Sequence, residues 1–188
     1  MVQILAGRFK GRRLRGPGGA RTRPTGSRVR EAVFDILGTR VEGSRFLDLY
    51  AGTGAVGIEA LSRGAGGCLF VESDRSALAV LRANIRNVVP VGEGRVLAMK
   101  AEGALRFLLR EEACFDILFA DPPYAEREFG DLLEGAVESG MLTSGGILMV
   151  EHARTTRLGP IGPLGEPREY RYGDTALSLY RAAGEEDR

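Results

Sequence analysis

Residues that could bind a metal or act as a nucleophile are scarce in this sequence. Its 188 residues include one histidine, His152, and two cysteines, Cys68 and Cys114. No His, Cys and carboxylate residues are grouped with zinc spacing, and neither a Ser-His-Asp nor a Cys-His site is apparent. Each cysteine stands among apolar neighbours, so we expect both to be buried and reduced. The sequence therefore indicates no metal cofactor and no covalent catalysis.

Long apolar runs are also missing. No segment approaches the roughly 20 apolar residues that a membrane span needs. The N-terminal MVQILAGRFKGRR places its basic residues after the apolar ones, which is unlike a secretory signal. Hydrophobic residues make up 44% and charged residues 27% of the chain, as in a globular protein. We therefore expect one domain that is monomeric and cytoplasmic.

Acidic residues are absent from the first 30 positions. These positions hold nine of the 26 Lys and Arg residues, namely Arg8, Lys10, Arg12, Arg13, Arg15, Arg21, Arg23, Arg28 and Arg30. The rest of the chain holds all 25 acids, so the net charge of +1 hides a basic end on an acidic body. Arginine side chains match phosphate oxygens, and such a cluster predicts salt-sensitive binding to a nucleic acid. A solvated basic tail is the alternative.

Three segments are predicted along the chain. Residues 1–25 form a basic extension, in which Val2–Ala6 can pair with Arg12–Arg15 through a turn over Gly7–Gly11. Residues 26–181 form the main domain, and residues 182–188 form a frayed tail. A helix is expected to begin at a cap on Thr25 or Ser27 and to end at Gly38.

Strands and helices alternate through the main domain. Apolar runs predict strands at Arg45–Tyr50, Cys68–Glu72, Arg95–Met99, Phe115–Ala120 and Gly146–Glu151, with helices at Ala55–Arg63, Ser73–Val88, Glu102–Arg110 and Glu126–Glu138. Glu169–Tyr172 and Ala176–Arg181 predict an antiparallel hairpin. This order indicates an α/β fold with a mostly parallel sheet and helices on both faces. Ligands in such folds bind beyond the carboxyl ends of the strands.

A glycine-rich loop follows the first strand of the main domain. Gly52, Gly54 and Gly57 form G-x-G-x-x-G, which lets the backbone approach a ligand and lets the next helix pack closely on the strand. Glu72 ends the second strand, where an acid can accept hydrogen bonds from both ribose hydroxyls of an adenosine. This pattern fits a dinucleotide as well as S-adenosylmethionine.

Asp48 favours the second of these ligands. It lies near the end of an apolar strand, four residues before Gly52. A buried carboxylate needs a cationic or hydrogen-bonding partner, and the ammonium group of S-adenosylmethionine is such a partner, whereas a pyrophosphate would be repelled. The alternative is a carboxylate that accepts hydrogen bonds from backbone amides of the loop.

The fourth strand ends in Asp121-Pro122-Pro123-Tyr124, which indicates the chemistry. The two prolines stiffen the turn and remove two amide donors, so the Asp121 carboxylate and the Pro122 carbonyl are left as neighbouring acceptors. Two fixed acceptors can bind both hydrogens of an exocyclic amino group and free its lone pair for methylation. Tyr124 offers a face on which a base can stack. A proline-rich surface turn is the alternative.

Together these motifs resemble class I methyltransferases that act on amino groups of bases. The sequence is more closely similar to one family, the bacterial 16S ribosomal RNA guanine-N2 methyltransferases of the RsmD type. That match rests on ILAGRFKGRRL (4–14), RPT (23–25), RVRE (28–31), FLDLYAGTGAVGIEA (46–60) and YGDT (172–175). It covers nearly the whole chain and implies a single Rossmann-like domain with a seven-stranded sheet, an antiparallel C-terminal hairpin and a small N-terminal extension.

The resemblance also implies partners and site residues. The cofactor is S-adenosylmethionine, and the target is a guanine of 16S ribosomal RNA in an assembling small subunit. The cofactor-binding set is Asp48, Ala51, Gly52, Thr53, Gly54, Glu72, Ser73, Ala101 and Asp121. Asp121, Pro122, Pro123 and Tyr124 would hold the guanine amino group. The RNA-facing set is Arg23, Thr25 and Arg28, to which the basic extension adds Arg8, Arg12 and Arg13. Lys100 departs from the Asp or Asn that often precedes the adenine-binding turn, so only the Ala101 amide is assigned there.

Two other functions are compatible with parts of the pattern. An N6-adenine methyltransferase on DNA or RNA would use the same acceptor turn, although the chain lacks a separate target-recognition domain. An NAD-dependent oxidoreductase would use the glycine loop, but Asp48, the turn at Asp121–Tyr124 and the basic extension all count against it.

Overall fold

The computed structural model describes residues 2–16, 26–122 and 129–184. The strands in these residues are β1 (Val2–Gln3), β2 (Arg13–Leu14), β3 (Arg45–Leu49), β4 (Gly67–Glu72), β5 (Gly94–Ala98), β6 (Phe115–Ala120), β7 (Leu142–Ala153), β8 (Arg168–Tyr172) and β9 (Thr175–Arg181). The α-helices are α1 (Ser27–Leu37), α2 (Ala55–Ser62), α3 (Arg75–Val88), α4 (Ala101–Arg110) and α5 (Phe129–Glu138). None of the helices in these ranges is long and apolar enough to cross a membrane.

Seven of the strands form one sheet in the order β5-β4-β3-β6-β7-β9-β8. The neighbouring pairs from β5 to β7 are parallel, whereas β9 is antiparallel to both β7 and β8. The strand order reverses between β3 and β6, which is the place where α/β sheets bind their ligands. The predicted α/β fold and its C-terminal antiparallel hairpin are therefore confirmed.

Helices cover both faces of this sheet. Side chains alternate between the faces along each strand, so Phe46 belongs to the cluster with α1, α2 and α3, and its neighbour Leu47 belongs to the cluster with α4 and α5. Asp48 therefore points to the same face as Phe46. Both clusters are apolar and buried, which explains why the central strands appear as nearly continuous hydrophobic runs in the sequence.

The N-terminal extension packs onto the first of these faces. β1 and β2 pair in an antiparallel hairpin, as predicted, and Ile4, Phe9 and Leu14 are buried in the cluster that contains α1 and α2. Gly7 lies so close to α2 that a Cβ atom there would be 1.8 Å from the carbonyl oxygen of Ser62. The segment that the charge pattern marks as basic is therefore also part of the hydrophobic core.

A buried carboxylate fastens the extension to α2. Glu59 is fully buried, and its two oxygens accept hydrogen bonds from the backbone amides of Leu5 (2.8 Å) and Ala6 (2.9 Å). Arg30 is also buried, lies 3.7 Å from Glu59 and donates to the carbonyl oxygen of Gln3 (2.7 Å). Arg30, counted above as part of the basic end, is therefore a structural residue. Burial lowers its pKa.

Most boundaries of helices and strands agree with the sequence-based prediction to within one or two residues, and the other differences concern the cap of α1, the start of β7 and the burial of Cys114. Helix α1 begins at Ser27 with Gly26 as its N-cap, so Ser27 is not the cap, and Thr25 lies outside the described residues. Strand β7 begins at Leu142 rather than Gly146, because a register irregularity opposite Phe115 lets the chain pass through Gly145 at positive φ and stay in the sheet. Cys114 is half-buried rather than buried.

Residues 182 and 183, which were predicted to belong to a frayed tail, form hydrogen bonds with the start of β7. The amide of Ala182 donates to the carbonyl oxygen of Gly146 (2.9 Å), and the carbonyl oxygen of Ala183 accepts from the amide of Gly145 (3.2 Å). Residues 185–188, like the start of the helix predicted from Glu126, lie outside the described residues. The last described residues therefore still add to the edge of β7.

Candidate active site

The predicted site residues meet at the carboxyl edge of the sheet. Asp48 is the penultimate residue of β3, Glu72 ends β4, and Asp121 directly follows β6. Strand β3 lies between β4 and β6, so these three acids come from adjacent strands. The charges of Asp121 and Glu72 both raise the pKa of Asp48, which places all three carboxylates within one electrostatic environment. The three acids that the sequence places at strand ends therefore lie at the same edge of the sheet.

Asp48 is a buried acid whose carboxylate has few hydrogen-bond partners in the described part of the protein. Its side chain is 2% exposed, and one oxygen accepts a hydrogen bond from the amide of Gly57 (2.9 Å). The other oxygen has no hydrogen-bond donor within the described residues. Burial is the main cause that raises the pKa of Asp48 to about 7, and the Gly57 amide opposes this shift. A cation delivered to this place would be strongly stabilised by the carboxylate.

Glu72 joins the end of β4 to the glycine loop. One oxygen accepts from the amide of Gly52 (2.8 Å), and the other accepts from the amides of Ser73 and Asp74 (2.7 Å each). A carboxylate has about four acceptor sites. Three of them are occupied here, so about one is left for a ligand hydroxyl. Glu72 thus shapes the loop in addition to any contact with an adenosine, and Ser73 contributes its amide to that shape.

The three glycines of the loop differ in how much space a side chain would have at each position. A Cβ at Gly52 would meet only the carbonyl oxygen of Tyr50 at 3.9 Å, so the space above this residue is open. A Cβ at Gly54 would be 2.5 Å from Leu81, and one at Gly57 would be 2.3 Å from Phe70. Gly54 and Gly57 are therefore required for helix packing, as predicted, and Gly52 faces the cleft.

The other backbone groups of the loop are mostly used internally. The amide of Ala51 donates to the carbonyl oxygen of Val71 (2.9 Å), and the carbonyl oxygen of Ala51 accepts from Gly54 (2.7 Å). Thr53 is buried. Ala101 is the first residue of α4 and is buried, so its amide lies at a helix N-terminus and has no partner within that helix. Of these residues, Ala101 keeps an amide that a ligand can use.

Asn84 is a site residue that the sequence did not reveal. Its side chain is 2% exposed, and its amide nitrogen donates both to the carbonyl oxygen of Thr53 (2.9 Å) and to that of Arg15 (3.1 Å). Its oxygen accepts from the amide of Arg15 (2.8 Å). One side chain on α3 thus joins the glycine loop to the basic extension.

Replacement of Asn84 by alanine is expected to destabilise the protein by about 2–3 kcal/mol, because three backbone groups would lose their partner in a buried place. The glycine loop would also loosen, so the affinity for S-adenosylhomocysteine should fall. Urea unfolding and calorimetric titration measure the two effects. Asn87→Ala, at an exposed position of the same helix, is the matched control and should stay within about 0.5 kcal/mol of the parent. Equal effects of the two variants would contradict this role.

Asp121 and Pro122 follow β6 and are half-buried. Pro123 and Tyr124 lie outside the described residues, so the stacking position predicted for Tyr124 stays a prediction. The register of β6 against β7 pairs Ala120 with Val150, and Ala120 pairs on its other side with Leu49. Asp121 therefore leaves the sheet from a fully paired central strand, which fixes where its side chain begins.

The predicted RNA-facing arginines fall into two groups. Arg8 forms an ion pair with Glu93, donates to the carbonyl oxygen of Leu61 (3.1 Å) and lies over the ring of Phe9. Arg12 donates to carbonyl oxygens at the end of α3. Arg8 therefore already has partners within the protein, and its role as a phosphate ligand stays a prediction. Arg13 and Arg28 are exposed and have no ion pair within the described residues, while Arg23 and Thr25 lie outside them.

His152 and Cys68 are buried and are not part of the group of site acids. His152 is 3% exposed, its Nε2 lies 2.8 Å from the Ser178 hydroxyl, and its Nδ1 lies 3.0 Å from the carbonyl oxygen of Ala153. This arrangement satisfies a neutral imidazole, with Nδ1 as donor and Nε2 as acceptor. Cys68 is a free, buried thiol whose pKa is raised by burial and by the charge of Asp48. Within the described residues no group of three or more His, Cys, Asp or Glu could hold a metal ion.

Comparison with known proteins gives the family. Residues 2–181 match the family described as Conserved hypothetical protein 95. Ribosomal RNA small subunit methyltransferase D of Escherichia coli is 33% identical over 99% of this chain and 93% of its own length. The chain belongs to this methyltransferase family. A Bacillus subtilis relative, YlbH, whose name marks it as a candidate rRNA methyltransferase, is 36% identical over 97% of this chain and 100% of its own length.

Solved structures give the same result for the fold. The Escherichia coli protein yhhF, described as a candidate methyltransferase, has a TM-score of 0.83 and 32% identity, covering 98% of this chain and 99% of that one. A more distant candidate methyltransferase, SMU.776, was solved in complex with SAH (S-adenosylhomocysteine). It has a TM-score of 0.66 and 15% identity over 82% of this chain and 48% of that one, so it shows a shared fold. The resemblance inferred from the motifs is therefore confirmed, and the oxidoreductase alternative is excluded.

The site fits the methyl donor that the family implies. The donor carries an ammonium group, and Asp48 is a buried carboxylate with an acceptor oxygen that no described donor occupies. The donor also carries an adenosine, and Glu72, the open space above Gly52 and the Ala101 amide lie along the neighbouring strand ends. The charge and the hydrogen-bonding capacity of these residues thus fit the methyl donor.

Proposed function

We propose that this protein transfers a methyl group from S-adenosylmethionine to the exocyclic N2 amino group of a guanine in 16S ribosomal RNA. The RNA class comes from the Escherichia coli relative named above, whose name is ribosomal RNA small subunit methyltransferase D. The observation that best supports the chemistry is the position of Asp121. It follows the central strand β6 at the same edge as Asp48, and its charge influences the pKa of Asp48.

The amino nitrogen of a guanine is a weak nucleophile because its lone pair is delocalised into the ring. The carboxylate of Asp121 and the carbonyl oxygen of Pro122 can accept its two N–H hydrogens and hold the nitrogen in a fixed orientation. Pro122 cannot donate from its own nitrogen, so no local donor competes for the Asp121 carboxylate at that position. When bound, S-adenosylmethionine supplies a methyl group that its sulfonium makes electrophilic. The residues of this chain then contribute mainly positioning and exclusion of water.

In a folded RNA the target base is stacked, and its extrusion costs about a few kcal/mol. Phosphate contacts from exposed arginines would offset this cost, and Arg13 and Arg28 are exposed residues of this kind. An unpaired guanine in an assembling particle would be reached at lower cost. We therefore propose the assembling small subunit, rather than a duplex, as the substrate.

Binding of the methyl donor is expected to depend on pH through Asp48. The carboxylate must be ionised to bind an ammonium group, and its pKa is raised to about 7. Affinity for S-adenosylhomocysteine should therefore rise about eightfold from pH 6 to pH 7.5, as the ionised fraction rises. Isothermal titration at several pH values measures this change. Asp48→Asn keeps the volume but should bind weakly with a flat pH profile, and an equally steep profile in that variant would contradict the assignment.

Asp48 also links pH to the stability of the ligand-free protein. The carboxyl binds its proton more tightly in the folded state, with a pKa of about 7, than in the unfolded chain, where the pKa is about 4. The free energy of unfolding that Asp48 contributes is thus highest at low pH and declines as pH rises through this window. The ammonium group of a bound methyl donor would offset the cost of keeping the Asp48 carboxylate ionised and buried near neutral pH.

Transfer of a labelled methyl group tests the proposed function. Small-subunit particles, naked 16S ribosomal RNA and DNA are offered to the protein, and the labelled nucleoside is then identified. Label in N2-methylguanosine from particles or RNA is the expected result. Label in N6-methyladenine, on RNA or on DNA, would instead support the adenine alternative, and absence of transfer to every substrate would refute both.

A further inference from the structure

We propose that the exposed face of α3 is a phosphate-binding surface for the RNA substrate, an inference that rests on the proposed function. Arg75, Arg82 and Arg86 are spaced by seven and four residues, so they lie on one face of the helix. All three are exposed, and the 14 residues of α3 include no acid. We call this row the α3 stripe.

The arginines of the α3 stripe are not neutralised by the described part of the protein. No ion pair, hydrogen bond or ring contact joins any of the three to another residue of these ranges. The nearest acid in the sequence, Asp74, caps the helix by accepting from the Ala77 amide (2.8 Å). Glu93, farther along the chain, is paired with Arg8. The positive charge of the stripe is therefore available to an anion.

The basic extension runs beside the same helix and enlarges this surface. Arg12 donates to the carbonyl oxygens of Asn87 and Val88 at the end of α3. Asn84 binds the backbone of Arg15 one turn earlier. Exposed arginines of the extension thus lie next to those of the α3 stripe. Arg75 and Arg86 are about 16 Å apart along the helix axis, a length that can follow several phosphates.

The position of α3 directs a bound strand towards the reactive edge. The helix begins just after Glu72, and Asn84 in its middle contacts the glycine loop through Thr53. On the opposite face of the sheet, α5 carries Asp131, Glu134 and Glu138 and no basic residue, whereas α4 carries one acid and two arginines. A polyanion is therefore attracted to the α3 face and repelled by the α5 face. The guanidinium group of arginine can donate two hydrogen bonds to one phosphate, which favours RNA as the ligand of this surface.

A matched pair of double variants tests this surface. Arg82→Gln/Arg86→Gln removes two charges from the α3 stripe. Arg106→Gln/Arg110→Gln removes two exposed arginines with the same spacing from α4, on the other face of the sheet. Binding of unmodified 16S ribosomal RNA transcript is measured by fluorescence anisotropy over a salt series. Methyl transfer to particles assembled from that transcript is measured in parallel, together with the affinity for S-adenosylhomocysteine.

The stripe variant is expected to bind RNA about tenfold more weakly at physiological salt, with a salt slope reduced by about 1.4 to 1.8. KM for particles should rise while kcat and the affinity for S-adenosylhomocysteine stay within about twofold, and the α4 control should match the parent. Normal binding by the stripe variant, or equal losses in both variants, would overturn the inference. Failure of the parent protein to methylate any RNA would instead overturn the proposed function, because the RNA-binding measurement does not depend on transfer.

Discussion

Asp121→Ala is expected to lower kcat for methyl transfer by about 10²–10⁴-fold, because it removes the acceptor that would orient and activate the target amino group. Affinity for S-adenosylhomocysteine should change by less than about threefold, since Asp48 and Glu72 remain. Single-turnover transfer to small-subunit particles and isothermal titration measure the two effects separately. Near-normal turnover in this variant would refute the proposed mechanism.

The same variant has a second signature. The charge of Asp121 raises the pKa of Asp48, so its removal should shift the pH midpoint of S-adenosylhomocysteine binding downward. Asp116→Ala is the matched control, because it removes an aspartate from the amino end of the same strand. Asp116 accepts hydrogen bonds from the Arg45 amide (2.8 Å) and the Thr143 hydroxyl (2.9 Å), far from the reactive edge. That control should lose some stability but keep kcat and the pH midpoint.

Glu59→Ala is expected to reduce the free energy of unfolding by about 3–5 kcal/mol. The substitution leaves the buried Arg30 without its counter-charge and leaves the amides of Leu5 and Ala6 without an acceptor. In a protein of this size the melting temperature should fall by about 6–20 °C. Urea and thermal unfolding measure the loss, and hydrogen exchange at Leu5 and Ala6 reports whether the extension has detached from α2.

Glu93→Ala provides the comparison for Glu59. It removes an acid that also pairs with an arginine of the extension, but this pair is partly exposed, with 43% of Arg8 and 26% of Glu93 accessible to solvent. The expected loss is below about 1 kcal/mol. A loss of that small size in Glu59→Ala as well would show that the buried carboxylate does not fasten the extension.

The sheet could be predicted from the sequence because its strands are buried on both faces. Phe115–Ala120 is apolar except for Asp116, and the structure has a strand with these bounds. The start of β7 could not be predicted in this way, since Thr143 to Gly146 has the composition of a turn. That segment stays in the sheet because Gly145 adopts positive φ at a register irregularity, which is a tertiary effect.

Some site residues could likewise be predicted from their own stretch of sequence, whereas others depend on contacts with distant residues. Asp48, Glu72 and Asp121 could be located because each occupies the end of an apolar strand, and topology then brings strand ends together. Asn84 could not be located, because its partner Thr53 is 31 residues away and a lone asparagine in a helix has no distinguishing pattern. Arg30 was assigned to the basic surface for a related reason: sequence composition does not reveal that Glu59, in another helix, accompanies it into the core.

The insertion of β9 between β7 and β8 has a consequence for synthesis of the chain. Strand β7 obtains its second neighbour only when residues 175–181 have left the ribosome, after every other strand of the sheet. Until then a long apolar strand has an open edge, which is the kind of surface on which nascent chains aggregate. The sheet is thus completed only by the final residues of the chain. A messenger RNA truncated near its 3′ end would yield a protein without β9, which chaperones would retain and proteases would degrade.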